Sequence, residues 1–207
     1  MKGKFVVFEG LDKSGKSTQF DMFCDHLTAL RIPYNKIHSP SDLPVGKMLR
    51  EVLEGRAEVS PELIRLMFVV DKMMAWEGFI KSAIDDGEWV ISHRWVLSTL
   101  AYGQVDGFYL GWLMQINQYV RVPDLTIYID TPPEICIERL EKEKGEPHLY
   151  EKLNQLQGAY ERYDWLLSQN PFARPNIRIS GDATEREVYA DLIIKFNEII
   201  PLEAQRD

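Results

Sequence analysis

Cysteine is scarce in this chain. Cys24 and Cys136 are the only two, far apart and without metal-type spacing, which excludes a disulfide framework or a zinc site and suits buried free thiols. No apolar run reaches the length of about eighteen residues that a membrane helix needs, so no membrane partner is expected. The first residues lack a basic segment followed by a long apolar one; with no signal peptide expected, the reading is cytoplasmic. Lys and Arg never gather into a run and the formal net charge is −8, which disfavours a nucleic-acid surface, because phosphate backbones attract basic patches. Repeats and low-complexity tracts are missing as well. What is present is 207 residues with 45% hydrophobic content, enough for one sizeable core and read as a single domain over residues 1–207. The partner to expect is a small phosphorylated molecule gripped locally.

Such a grip is written near the start of the chain. An apolar run, Phe5 to Phe8, leads into Gly10, Gly15, Lys16 and Ser17, which fit the phosphate-loop spacing G-x-x-x-x-G-K-[ST]. A segment with apolar residues at helical intervals follows (Phe20, Phe23, Leu27, Leu30), the strand–loop–helix context that the motif requires. Glycine at 10 and 15 lets the backbone turn its N–H groups inward around phosphate oxygens, and the following helix adds partial positive charge. Asp12, Lys13, Ser14 and Thr18 complete the loop read as ATP-binding. Lys16 is expected to reach the β- and γ-phosphates, and Ser17 to ligate Mg²⁺.

Downstream, strands and helices alternate. Tyr34 to His38 reads as a strand, closed by the Pro40 and Pro44 loop; Met48, Leu49, Val52 and Leu53 are helical, ending at Gly55. Ser60 and Pro61 open a helix whose stripe of Leu63, Leu66, Met67, Val70, Met73 and Met74 suits core or a subunit interface, hence an expected homodimer. Trp89 to Ser92 is a buried-type strand ending at His93-Arg94, helices are expected over 97–103 and 108–121, and Leu125 to Asp130 is a further strand. A helix follows Pro132-Pro133, and residues 141–151, charged and broken by Gly145 and Pro147, read as a mobile lid. A helix over 149–169, a strand at 176–180 and a helix over 184–199 complete the reading. Strands separated by helices indicate an α/β fold, a parallel sheet with helices on both faces.

Taken together these stretches resemble the thymidylate kinase family of nucleoside monophosphate kinases, over nearly the whole chain. Phe8-Glu9-Gly10-Leu11-Asp12-Lys13-Ser14-Gly15-Lys16-Ser17-Thr18-Gln19 is similar to the family's phosphate loop, and Leu66-Met67-Phe68 with Lys72 to its Leu-Leu-Phe-x-x-x-Arg segment. His93-Arg94-Trp95 with Ser98 to Tyr102 resembles the Asp-Arg-Tyr/His motif and its sequel, and Pro123 to Asp130 with Glu138-Arg139 the approach to the lid. The resemblance implies a P-loop NTPase three-layer fold with a five-stranded parallel sheet and a short lid. It also implies transfer of the γ-phosphoryl group of MgATP to a pyrimidine deoxynucleoside monophosphate, dTMP first among them. By the same likeness Phe68 stacks on the base, Arg94 holds the acceptor phosphate, Arg50 adds charge near it, Asp12 bonds the sugar 3′-hydroxyl, and Thr99 and Tyr102 line the pocket. Lys13, Lys16 and Arg94 form the catalytic set, with Lys13 as the transition-state cation, since the lid offers Lys142 and Lys144 but no arginine after Arg139.

Departures fall on the acceptor side. His93 stands for aspartate, Lys72 for arginine, His38-Ser39 for Arg-Glu, and Gly103-Gln104 inverts the usual Gln-Gly. Lys72 and Gln104 are therefore expected to face the base and loosen its selection, with Gly103 making room near the 5-position. Three alternatives stand beside the main reading: a kinase for another 5-substituted pyrimidine deoxynucleotide, a nucleotide switch, and a degenerate nucleotide-binding member. The switch lacks its Asn-Lys-x-Asp guanine signature, the nearest string being Asn35-Lys36-Ile37-His38.

Overall fold

Phe5–Gly10 forms strand β1, and every one of its residues is buried. Side chains along a strand alternate in direction, so its two faces feed two different cores. Phe5 and Val7 belong to one apolar cluster together with Trp95, Leu100, Tyr128 and Tyr163. Val6 and Phe8 belong to the other, with Phe20, Phe23, Leu27 and Phe196. A strand apolar on both faces must lie inside a sheet covered on both sides.

The sheet has β1 at its centre. In a computed structural model describing residues 3–144, 150–169, 171–173 and 175–200, β2 (Tyr34–His38), β3 (Trp89–His93), β4 (Leu125–Asp130) and β5 (Asn176–Ser180) join it in the order β2-β3-β1-β4-β5. Every pairing is parallel. The chain leaves β1 toward β2 and β3 and later returns on the other side to β4 and β5. Beside the carboxyl end of β1 the winding reverses, the place where open α/β sheets leave a crevice for ligands.

Helices α1 (Lys16–Ala29) and α9 (Glu185–Ile199) cover one face; α3 (Pro61–Ala75), α5 (Val96–Val105) and α8 (Tyr150–Gln169) cover the other. α2 (Pro44–Leu53), α6 (Leu110–Ile116) and α7 (Pro133–Lys144) complete the layers, and α3 runs on through a π-helical turn, Trp76–Ile80, into α4 (Lys81–Asp85). Local signals act as expected: the Ser60 hydroxyl accepts from Leu63 N at 3.2 Å with Pro61 in the first turn of α3, and Thr184 with Glu187 forms a capping box on α9.

Two expectations need revision. The helix anticipated over 108–121 is shorter, because α6 ends at Ile116, where the Asn117 amide donates to the Leu113 carbonyl at 2.8 Å and closes the helix end. The region read as a lid over 141–151 begins as helix: residues 141–144 are the last turn of α7, α8 starts at Tyr150, and 145–149 lie outside the described residues. On α3, Leu63, Leu66, Val70, Met73 and Met74 are 38–45% exposed, while the inward face carries Arg65, Met67, Val69, Asp71 and Lys72. Three charged residues on a buried helix face require partners.

Candidate active site

The phosphate loop spans the gap between β1 and α1, and its path needs left-handed backbone. Gly15 has φ 91°, and Lys13, unusually for a residue with a Cβ, has φ 65°. The loop is braced from behind. Thr131 Oγ1, just past β4, donates to the Ser14 carbonyl at 2.8 Å. At Gly181, just past β5, a Cβ would lie 1.9 Å from Thr131 Oγ1 and 2.9 Å from the Ser14 carbonyl oxygen, so only glycine fits there. Arg139 of α7 clamps the rim, donating to the Lys13 carbonyl at 3.2 Å and to the Gly181 carbonyl at 2.9 Å. A cavity of about 220 Å³ opens here, lined by Ser14, Gly15, Thr18, Arg139, Gly181 and Val188 among others.

Lys16, the first residue of α1, is only 4% exposed. Burial, reinforced by the Arg94 charge, lowers its amine to about 7. An anion placed beside it restores the ammonium. Its Nζ lies 3.1 Å from Nε2 of His93, and Ser17 Oγ lies 3.1 Å from the same nitrogen. His93 ends β3, level with Phe8 on one side and His38 on the other; burial first, then the charges of Lys16 and Arg94, hold its imidazole down to about 3, so it is neutral. The Lys13 ammonium pairs with Glu143 of α7.

Across the loop lies a second cavity of about 340 Å³, lined by Asp12, Arg65, Phe68, Arg94, Thr99, Tyr102 and Asp106 among others. Arg94 is its pivot. Its backbone is left-handed at φ 69°, its N–H donates to the Phe8 carbonyl at 2.9 Å, and its guanidinium reaches Asp12 Oδ1 at 2.6 Å and Tyr163 Oη at 3.2 Å. The guanidinium also sits 5.3 Å from the Tyr102 ring centroid. Behind it, Glu9 is wholly buried. Its carboxylate accepts from Trp95 N at 2.8 Å, Ser98 N at 3.2 Å and Tyr163 Oη at 2.9 Å, capping the start of α5 and fixing the turn that carries Arg94.

The structure therefore brings Asp12, Phe68, Arg94, Thr99 and Tyr102 to one pocket beside Lys13, Lys16 and Ser17. It does not bring Arg50, Lys72 or Gln104 to that lining. Arg50 donates to the carbonyls of Pro40 and Ser41 at 3.0 and 2.8 Å and pairs with Asp42, holding the loop that forms the pocket's edge. The Gln104 amide turns back to the Leu100 carbonyl at 3.2 Å. Gly103 has a packing reason, since a Cβ there would lie 2.9 Å from both Leu113 methyls. Lys72 is fully buried, bonded to Thr99 Oγ1 at 2.9 Å and to the Phe68 carbonyl at 3.1 Å. Desolvation lowers its amine to about 8. It supports the two residues that line the pocket.

Sequence reasoning passed over Arg65 and Asp106 as pocket residues, and Tyr163 as the support behind Arg94. Arg65 is 92% buried by its 8% exposure, pairs with Asp106 and lies 5.8 Å from the Phe108 ring. Only a charged residue in the apolar spacing of α3 hinted at it. Asp71, on the same face, accepts from Ser41 N at 2.9 Å and Ser41 Oγ at 2.5 Å.

A cation would meet a mixed set of donors. Among the described residues no three His, Cys, Asp or Glu side chains gather as a metal cage. The Ser17 hydroxyl with the phosphate oxygens of a bound nucleotide suits Mg²⁺, but the next donor at hand is the His93 nitrogen, not a carboxylate.

A phosphate loop at the switch point, with a second pocket opening onto it past an arginine, defines a phosphotransferase of the P-loop class that brings two phosphorylated ligands together. Comparison with known proteins makes this specific. The thymidylate kinase family profile matches residues 8–177, and the chain belongs to that family. It is 31% identical over 198 residues to the thymidylate kinase of Leptospira interrogans, covering 93% of this chain and 95% of that one. It is 30% identical over 204 residues to the thymidylate kinase of Plasmodium falciparum, covering 96% and 91%. It is 32% identical over 199 residues to a probable thymidylate kinase of Pyrococcus abyssi, covering 93% and 95%.

Proposed function

We infer that the chain catalyses transfer of the γ-phosphoryl group of ATP to dTMP, giving dTDP and ADP. The observation that carries this is the placement of Arg94 and Asp12 on the wall shared by the phosphate loop and the 340 Å³ pocket, within a family named for this reaction. The acceptor phosphate, with its second pKa near 6, is already anionic at neutral pH. No general base is required. Catalysis then consists of aligning two anions and compensating the charge between them.

In this reading the loop amides and Lys16 hold the ATP phosphates, and Lys13 leaves Glu143 for the transferring group. Arg94 grips the dTMP phosphate, Phe68 and Tyr102 flank the base, Asp12 takes the 3′-hydroxyl, and Arg50 and Lys72 set the pocket's edge and floor. The adenosine end of ATP takes the cavity beside Arg139 and Gly181. Ser17 would hold a Mg²⁺ bound with ATP, and the ion would neutralise phosphate charge. The exposed stripe of Leu63, Leu66, Val70, Met73 and Met74, flanked by Met48 at 52% exposure, is the surface for a second copy of the chain. Sedimentation at micromolar concentration tests that. No helix among the described residues is long and apolar enough to cross a membrane, and the cytoplasmic location belongs to the same proposal.

A coupled assay of ADP release with ATP and a panel of monophosphates tests the activity. Turnover should be fastest with dTMP and absent with dGMP, whose second ring does not fit a pocket floored by Phe68 and Thr99. Fastest turnover with a purine monophosphate contradicts the reading.

A further inference from the structure

The cation-binding serine has an unusual neighbour. Nε2 of His93 stands 3.1 Å from Ser17 Oγ and 3.1 Å from Lys16 Nζ. The neutral imidazole has one lone pair, and with the hydrogen on Nδ1 that lone pair is on Nε2, facing both groups. The ring is fixed in place. It ends a central strand paired on both sides, its carbonyl accepts from Ser39 N at 3.1 Å, and the Phe20 ring meets it edge-on with centroids 5.8 Å apart. In that tautomer an imidazole lone pair is held toward the Ser17 hydroxyl, which the loop motif suits to a nucleotide-borne cation.

The spacing matches a shared metal. An octahedral cation with bonds of about 2.1 Å has neighbouring donors about 3 Å apart, which is the Ser17–His93 separation. Lys16 occupies the lone pair only until its ammonium turns to bound phosphates, the role its position in the loop gives it. Imidazole nitrogen is a poor donor for Mg²⁺, which favours an all-oxygen shell, and a good one for later first-row divalent ions.

We propose that His93 Nε2 is a direct ligand, beside Ser17 Oγ, of the divalent cation carried by the nucleotide, and that it shifts the site from Mg²⁺ toward ions such as Mn²⁺ and Co²⁺. This rests on the phosphate-loop reading of the function, and the experiment separates the two.

The probe is the full chain with Mn²⁺ and ADP, read by pulsed electron paramagnetic resonance with natural-abundance and ¹⁵N-histidine protein. A nitrogen coupling of a directly bonded imidazole is expected, switching from ¹⁴N to ¹⁵N with the label and vanishing in His93→Asn. The chain has four histidines, so a coupling that survives in His93→Asn belongs to another one and overturns the assignment. So does the absence of any bonded histidine nitrogen while calorimetry shows ADP bound. Failure of ADP itself to bind overturns the phosphate-loop reading instead. In a second measurement, the ratio of Co²⁺ to Mg²⁺ affinity of the ADP complex should fall roughly tenfold in His93→Asp, where a carboxylate replaces the nitrogen; an unchanged ratio contradicts the proposal.

Discussion

The two sides of the site are built by different means. On the donor side the working surface is mostly backbone, turned inward by Gly15 and Lys13 in left-handed conformations and braced by Thr131, Gly181 and Arg139. On the acceptor side it is side chains converging from the phosphate loop, α3, α5 and the end of β3, held by a second layer of Glu9, Tyr163, Lys72 and Asp71. A backbone surface is specified by a few residues at fixed spacing, whereas a side-chain surface depends on every helix reaching its place. Of the departures expected on the acceptor side, Lys72 does lie under that pocket, bonded to Phe68 and Thr99, whereas His93 stands on the donor side, beside Lys16 and Ser17 of the phosphate loop.

The sharpest break of that contrast is Lys16→Ala. Removing a preorganised charge at the transferring phosphates should lower kcat by about 10²-fold or more, with circular dichroism unchanged. Turnover within a factor of ten of the wild type would show that the loop lysine is not central.

Arg94→Ala and Lys13→Ala should divide the two sides. The first should raise the dTMP KM about tenfold or more while leaving ATP binding intact, because in the proposed mechanism it removes a grip on a ground-state anion. The second should lower kcat with little change in dTMP KM, because in the proposed mechanism Lys13 acts where charge develops. Steady-state constants with both substrates varied decide it, and the reverse pattern would exchange the assignments.

Lys72 sharpens the comparison through stability. Its folded-state amine titrates at about 8 against an ordinary 10.5, so between those values the unfolded chain holds the extra proton and stability rises with pH. The stability of wild type relative to Lys72→Met should therefore increase by on the order of 3 kcal/mol from pH 8 to 10.5. Urea unfolding at the two pH values measures it; a flat difference would mean that Lys72 is not desolvated. The smallest effect concerns Gly103→Ala, where a methyl pressed against a flexible Leu113 should destabilise by about 1 kcal/mol. If thermal unfolding is unchanged and base selection shifts instead, Gly103 belongs to the pocket after all.

How far these features could be read from the chain follows the same division. Gly10, Gly15, Lys16 and Ser17 announce themselves by spacing, and Phe5 to Phe8 by its unbroken apolar character. The order β2-β3-β1-β4-β5 is not written in any one segment. The family resemblance puts Lys72 and Gln104 at the base by matched position; yet Lys72 turns under Phe68 and Thr99, and Gln104 turns back along α5, choices made by packing between helices. Arg65 and Asp106 are far apart in sequence and meet only through the α3–α5 contact. Glu9 did carry a signal, an acid inside an otherwise apolar strand. Its meaning as the cap of α5 needed the fold.

The central claim is that both pockets serve one transfer, and phosphorus NMR of the wild-type chain with ATP and dTMP tests it directly. The account predicts that dTDP and ADP appear in equal amounts and that ADP does not accumulate when dTMP is left out. ADP accumulating without dTDP would contradict it.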